Sequence, residues 1–377
     1  MKRLTAFLAA LAFLLAPSIG YCAEAQPDMG EASAALLINI ETGLEVLGKN
    51  IETPVEAAGL RRLPALLTVC LAFDAEKLSE ETPITVSRAA ADEKGMTAFL
   101  SPNEVLPAGA LLKAAVMLTA GDAIRALLEG FSGGDPLAAV NGVLSRLGAA
   151  PLEGDALGAG RDFTVGEIAK VCTELAKSPA WLKYSSIYTD TLTHGNGSVT
   201  ELTNPNKLVR VYSGCYGLAT GSVGSSQYGG AFIAKRGQTT FLAVVTGLST
   251  SEKRFELARG MLDRGFASYR AAELTGEEYE AGTVAVKSGV KRELEVEPEG
   301  GAWVLLPAGD GRISGEAELP EAVEAPIEKG DPIGLLTIKN AAGETLRELK
   351  LLAAESIEKA GFADLFRRLA SLWLRMG

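Results

Sequence analysis

One histidine and four cysteines are the side chains of this 377-residue chain best suited to nucleophilic, acid–base or metal chemistry. Their spacing excludes most of it. His194 sits in the turn-like run Thr193-His194-Gly195-Asn196-Gly197, which reads as solvated. A lone loop histidine leaves little room for a Ser-His-Asp triad or an H-E-x-x-H zinc site. Cys22 falls within a leader, and Cys70, Cys172 and Cys215 are too few and too scattered for a disulfide framework or a zinc cluster. These three are expected to be small buried apolar residues. Neither a metal nor a cofactor is implied. The net charge of −11 removes nucleic acid from the partners, because phosphate binding needs a basic face.

The length is enough for two or three domains and a large core. Residues 1–25 read as a secretory signal: Lys2 and Arg3, an apolar run over 4–16, then small residues ending Ala23-Glu24-Ala25. That run is too short to span a bilayer, and cleavage is expected after Ala25. Lipidation at Cys22 is the lesser alternative, since the preceding Tyr21 is bulky. The apolar stretch 34–40 predicts a buried strand that Glu41-Thr42-Gly43 turns into a second one over 44–47. Helical periodicity covers 111–128 and 137–147, and a Gly/Ala-rich connection follows over 148–161. Thr164 with Glu167 three residues on predicts a capping box, opening a helix that Ser178-Pro179 closes. Two strands, 230–234 and 240–245, precede a helix over 251–264. Alternation over 283–287, 292–296, 303–306, 316–319 and 334–338 then predicts a small antiparallel β domain. In the tail, Ile357, Ala360, Leu365, Leu369, Leu372, Trp373 and Met376 recur at helical spacing, with Arg367, Arg368 and Arg375 opposite. This predicts an amphipathic helix lying on a membrane surface; packing against its own β domain is the alternative.

The phrase SAALLINIETGLEVLGKN (33–50) closely resembles the opening hairpin of the low-molecular-mass penicillin-binding proteins, the serine D-alanyl-D-alanine carboxypeptidases that trim peptidoglycan stem peptides. TNPNKL (203–208) matches that family's Asn-x-Asn-Lys-Leu, and EAPIEKG (324–330) resembles its second domain. The resemblance runs from Ser33 to Met376. It implies an α/β (α+β) penicillin-binding, β-lactamase-like transpeptidase domain over 31–270, a β-rich domain over 273–352 and a membrane-associating helix over 354–377.

The likeness fails where the family does its chemistry. Its S-x-x-K heads a core helix, the Ser being acylated and the Lys sharing the proton transfers. Here Gly59 stands at the Ser and Arg62 at the Lys. Gly has nothing to acylate, and Arg stays protonated at any cellular pH. Pro64 lacks an amide proton and is expected to delay the helix start past Arg62. The family's S-G-N precedes Asp-Ala, so Asp122-Ala123 sets Thr119 at its Ser and Gly121 at its Asn. Thr119 keeps a hydroxyl; Gly121 keeps nothing. In GCYGLATG (214–221), Ala219 replaces the Lys of K-T-G while Thr220 and Gly221 survive. Arg254 before Phe255 matches an Arg-Phe whose Arg is a candidate for the terminal carboxylate; a structural ion pair is the alternative.

The resemblance thus implies an exported homologue without catalytic residues, at the periplasmic or outer face of the cytoplasmic membrane. Its partner would be a stem peptide, held by Thr119, Thr220, Gly221 and Arg254, or a cell-wall protein against a closed cleft. The competing enzyme reading needs a displaced hydroxyl, from Thr68, Thr119, Thr220 or Ser222, with a base in reach. Lys113, a helical turn or more from Thr119, is the nearest candidate base in sequence.

Overall fold

Alternating burial along the strands sets the architecture. The computed structural model describes residues 29–275, 279, 282–309 and 311–362, so the leader and residues 363–377 of the tail lie outside the described residues. The strands β1 (Ala34–Asn39), β2 (Glu45–Lys49), β3 (Cys215–Gly217), β4 (Thr220–Val223), β5 (Gln227–Arg236) and β6 (Thr239–Leu248) form one antiparallel sheet. Its order is β2-β1-β6-β5-β3, with β4 also pairing β5. Successive side chains leave opposite faces of a strand. Leu36, Ala231, Ile233, Leu242 and Val244 therefore join one core, while Leu37, Phe232, Phe241, Ala243 and Val245 join another.

The first core is helical. It is built around α1 (Leu63–Asp74), with nine of its twelve residues buried. A helix apolar all round belongs inside a domain. Packed about it are α2 (Ala108–Leu118), α3 (Gly121–Phe131), α4 (Pro136–Arg146), α5 (Val165–Leu175) and α6 (Pro179–Ser185). The second core is closed by α7 (Ser251–Ser268) through Ala258, Met261 and Leu262. Cys70, Cys172 and Cys215 are free and buried, as their isolation in the sequence suggested.

Local signals are kept with adjustments. A 3-10 turn, Ala58–Arg62, precedes α1, and Pro64 lies in its first turn, so the helix begins after Arg62. The Thr164–Glu167 capping box is present in both directions. Ser178 opens α6, accepting from the Trp181 amide, rather than merely ending α5. The single helix expected over 111–128 is two helices. Thr119 interrupts it in the left-handed region, at φ 53° and ψ 42°. That conformation costs a β-branched residue about 1–2 kcal/mol, and tertiary hydrogen bonds described below hold it.

Beyond α7 the β domain has a six-stranded sheet. Its order is Ile313–Glu318, Pro332–Asn340, Thr345–Ala353, Glu293–Pro298, Thr283–Lys287, Ala322–Glu324. The last pair is parallel, a departure from the all-antiparallel expectation. The strand Thr345–Ala353 was not foreseen, because Leu, Arg, Glu, Lys and Ala favour helix and only its pairing with Pro332–Asn340 makes it extended. Tyr269–Glu273 pairs Trp303–Pro307, and Leu305 and Trp303 pack into the core beneath α7. Arg347 clamps this junction, donating to the carbonyls of Trp303 (2.6 Å) and Thr42 (3.2 Å). The helix expected from 354 does not begin there: Ile357 is buried and bridges Ile327 in extended conformation. Among the described residues no helix is long and apolar enough to cross a membrane.

Candidate functional site

The 3-10 turn at the head of α1, the break between α2 and α3, and the edge strand β4 converge on a cavity of about 820 Å³. Gly59, Arg62, Thr119, Thr220, Gly221 and Ser222 all line it, with Lys94 and Met96 from the preceding loop and Arg161 and Asp162 from the connection before α5. The fold thus brings together residues far apart in sequence, Gly59 and Ser222 being separated by 163 positions (222 minus 59).

Position 59 is glycine for a steric reason. A Cβ there would lie 2.9 Å from the Thr220 carbonyl oxygen and 3.2 Å from the Gly221 Cα. In return, a Cβ on Gly221 would lie 2.3 Å from the Gly59 nitrogen. The turn and the edge strand touch backbone to backbone, an approach that only glycine permits.

Arg62 is a bracket. It is 4% exposed, and its Nη1 donates to the carbonyls of Met96 (2.8 Å) and Thr119 (3.1 Å) while Nη2 donates to that of Lys94. Burial, then the neighbouring Arg61, pushes its pKa below the ordinary arginine value. No carboxylate lies within ion-pair distance of it among the described residues, and its buried Nε has no acceptor. The guanidinium occupies the space a side chain at 121 would need: a Cβ on Gly121 would lie 2.8 Å from its Cζ. The volume at position 121 is therefore tied to the side chain at 62.

Around this bracket, ion pairs fix the cavity walls. Arg125 binds Glu93 and Asp155, each at 2.5 Å, joining the loop before residue 94 to the connection before α5. Asp122 accepts from the amides of Ala98, Leu100 and Ala123; burial raises its pKa against those bonds. Arg161 pairs with Glu167 at 2.5 Å and stacks on Phe163.

The remaining expected residues divide. Thr119 and Thr220 are nearly buried at the cavity wall, and Ser222 is exposed there. None of the three hydroxyls is hydrogen-bonded to a basic group among the described residues. Thr68 lies inside α1, its hydroxyl donating to the Pro64 carbonyl, and does not line the cavity. Lys113 is paired with Asp190 at 2.9 Å. Ala219 is 2% exposed in the helical core. Arg254 is 6% exposed and donates to the carbonyls of Gly221 (3.0 Å) and Gly229 (3.2 Å) and to the Ser251 hydroxyl. Burial pushes its pKa down to about 10, which leaves it charged at neutral pH. It braces β4 from behind.

His194 is not solvated. It is 8% exposed, with Nδ1 3.0 Å from the Glu104 carboxylate and Nε2 2.8 Å from the Thr200 hydroxyl. Glu104 lies 90 residues away in sequence, a contact that no local pattern announces. Sequence reasoning also missed Lys94, Arg61 and Arg161, since charged loop residues read as solvent-facing until the fold places them on one cavity.

Comparison with known proteins agrees with this geometry. The family profile described as D-alanyl-D-alanine carboxypeptidase matches residues 22–250, and that for the penicillin-binding protein 5 C-terminal domain matches 269–359. The D-alanyl-D-alanine carboxypeptidase DacF of Bacillus subtilis is 28% identical over 356 residues, covering 92% of this chain and 90% of the relative. DacD of Salmonella typhimurium, also a D-alanyl-D-alanine carboxypeptidase, is 22% identical over 97% of this chain and 96% of its own. Among solved structures, penicillin-binding protein 5 of Haemophilus influenzae superimposes with a TM-score of 0.72 at 19% identity, covering 89% of this chain and all of that one. A family match over residues 22–250, on an α/β domain followed by a β-sheet domain of matching type, shows that the chain belongs to the D-alanyl-D-alanine carboxypeptidase family.

Proposed function

We propose that this protein is an exported, non-acylating member of its family that holds peptidoglycan rather than cutting it. One observation carries the reading: the nucleophile position is Gly59, and the space its side chain would need is taken by the Thr220 carbonyl. Arg62, committed to three carbonyls, cannot act as the amine that activates a hydroxyl. Losing one member of a catalytic unit costs orders of magnitude in rate, and losing several leaves binding. A cavity of about 820 Å³, with walls fixed by ion pairs, retains the size of a ligand site. The ligand under this reading is a stem peptide, placed between β4 and the Thr119 wall at the outer face of the cytoplasmic membrane. The tail beyond 362 would supply the peripheral anchor.

Incubation of the purified mature chain with peptidoglycan sacculi tests this. Retention on the sacculi without release of free D-alanine is the expected result. Release of D-alanine that a single substitution abolishes would instead establish a displaced nucleophile. A second reading, docking of a cell-wall protein, is favoured by Met96 on the cavity wall and Phe99 three residues on, which stand 43% and 75% exposed. It predicts no retention on protein-free sacculi.

A further inference from the structure

The charge of this chain is concentrated in its second domain. Residues 273–362 carry nineteen acidic and nine basic side chains, so −10 of the net −11 falls there (9 minus 19). Four of those nine cations, Lys287, Lys291, Arg292 and Lys359, gather at one end of the domain, and all four are exposed. The turn over 288–292 joins Thr283–Lys287 to Glu293–Pro298 and lies against the last described stretch of chain. Its Val290 amide donates to the Glu358 carbonyl (2.9 Å), and the Ala360 amide donates to the Ser288 carbonyl (2.7 Å). Lys291 pairs with Glu355, and Lys287 stands in register with Glu324. Over 287–292 and 355–362 together the balance is still four cations to two acids, Glu355 and Glu358.

The same end exposes apolar surface. Among the described residues of the β domain, the exposed large apolar side chains are Val290 at 42% and Phe362 at 86%. Val284, Val286, Leu294 and Val296 in the adjoining strands are all buried. Gly289 pins the turn: a Cβ there would lie 2.7 Å from Val286 Cγ1 and 2.9 Å from Ile357 Cγ2. This end is also remote from the first domain. Arg347, which clamps that domain, lies six residues before Ala353 on the same strand (353 minus 347), about 20 Å away. Ala353 pairs with Val296, and the strand runs on from there to the turn. Phe362 is the last described residue, and the fifteen that follow hold Arg367, Arg368 and Arg375 against Asp364.

We propose that the turn over 288–292 is a lipid-contacting tip. Val290 and Phe362 enter the headgroup layer of an anionic membrane surface, and Lys287, Arg292 and Lys359 meet its phosphates. An apolar side chain ringed by cations matches that layer, which offers anions above hydrocarbon. The inference rests on the peripheral membrane placement proposed above and adds a contact apart from the tail. A tail alone is a tether, whereas a second contact sets the direction of the β domain. The acidic remainder of the domain is repelled by the same surface and stands away from it.

The test uses the full mature chain with an environment-sensitive nitrobenzoxadiazole label attached through Val290→Cys; the thiols at 70, 172 and 215 are buried and stay unlabelled. On vesicles of phosphatidylglycerol and phosphatidylethanolamine, emission from position 290 should rise and shift to the blue, and lipids brominated in the upper acyl chain should quench it. The same label through Ser314→Cys, on the exposed edge strand opposite Lys339, should not respond. Arg292→Glu, whose side chain makes no ion pair among the described residues, should weaken binding to these vesicles about tenfold and to neutral phosphatidylcholine less than about twofold. An unchanged urea midpoint confirms its fold. A chain that sediments with vesicles while the label at 290 stays silent overturns the inference and leaves the peripheral placement standing. A response at 290 that grows with protein concentration in the absence of lipid assigns the turn to a second copy of the chain, and overturns it too. Failure to sediment at all removes the placement, and the inference with it.

Discussion

The Arg62 guanidinium fills the space beside Gly121, so the two positions are coupled by volume. With the guanidinium Cζ 2.8 Å from where a Cβ on Gly121 would stand, Gly121→Asn overpacks a buried site. It should cost about 2 kcal/mol in urea unfolding. In an Arg62→Ala background the same change should cost under about 1 kcal/mol, because the clash has gone and coupled sites are not additive. Additive losses would show that the two positions are independent. Gly59→Ser follows the same logic. Its Cβ meets backbone, not a flexible side chain, so the substitution should destabilise the chain by about 1–2 kcal/mol and still yield no acyl-enzyme.

At the scale of elements, the Glu104–His194 contact pins the loop before α2 to the turn of the Thr189–Thr193 and Val199–Thr203 hairpin. Burial opposes the Glu104 charge, yet the Ser101 and Gly195 amides and His194 hold its pKa below the ordinary carboxylate value. A depressed carboxylate contributes stability that is full above about pH 4.3 and lost as the pH falls through the folded value. The stability advantage of the native chain over Glu104→Gln should therefore shrink between about pH 6 and about pH 3. An advantage that grows on acidification would contradict this assignment. The same elements show what the sequence makes legible. Strands β1, β5 and β6 and the capping box carry their own local signals, and the structure forms them. The break at Thr119 carries none, because the apolar period runs straight through it and the cause is a hydrogen bond from Arg62, 57 residues away. His194 reads as a surface turn for the same reason: its burial is supplied by a distant loop. Gly59, Arg62, Thr119 and Gly121, singled out in the sequence, do come together on one cavity. That Arg61, Lys94 and Arg161 join them, from three separate loops, was not legible there.

Over the whole molecule, the two domains share a core. Leu305 of the β domain is 5% exposed within the cluster beneath α7, and Arg347 reaches back to the Thr42 carbonyl. Such a junction should give one cooperative calorimetric transition, and Leu305→Ala should lower stability by about 3 kcal/mol and separate the domains' unfolding. Two transitions in the native chain would show that the domains are energetically independent. The proposed binding role depends above all on no hydroxyl of the cavity being activated for acylation. Its most direct test is the intact mass of the purified mature chain after prolonged incubation with benzylpenicillin. The mass should be unchanged. A stoichiometric increase of one penicillin, mapped by peptide digestion to Thr119, Thr220 or Ser222, would contradict the account.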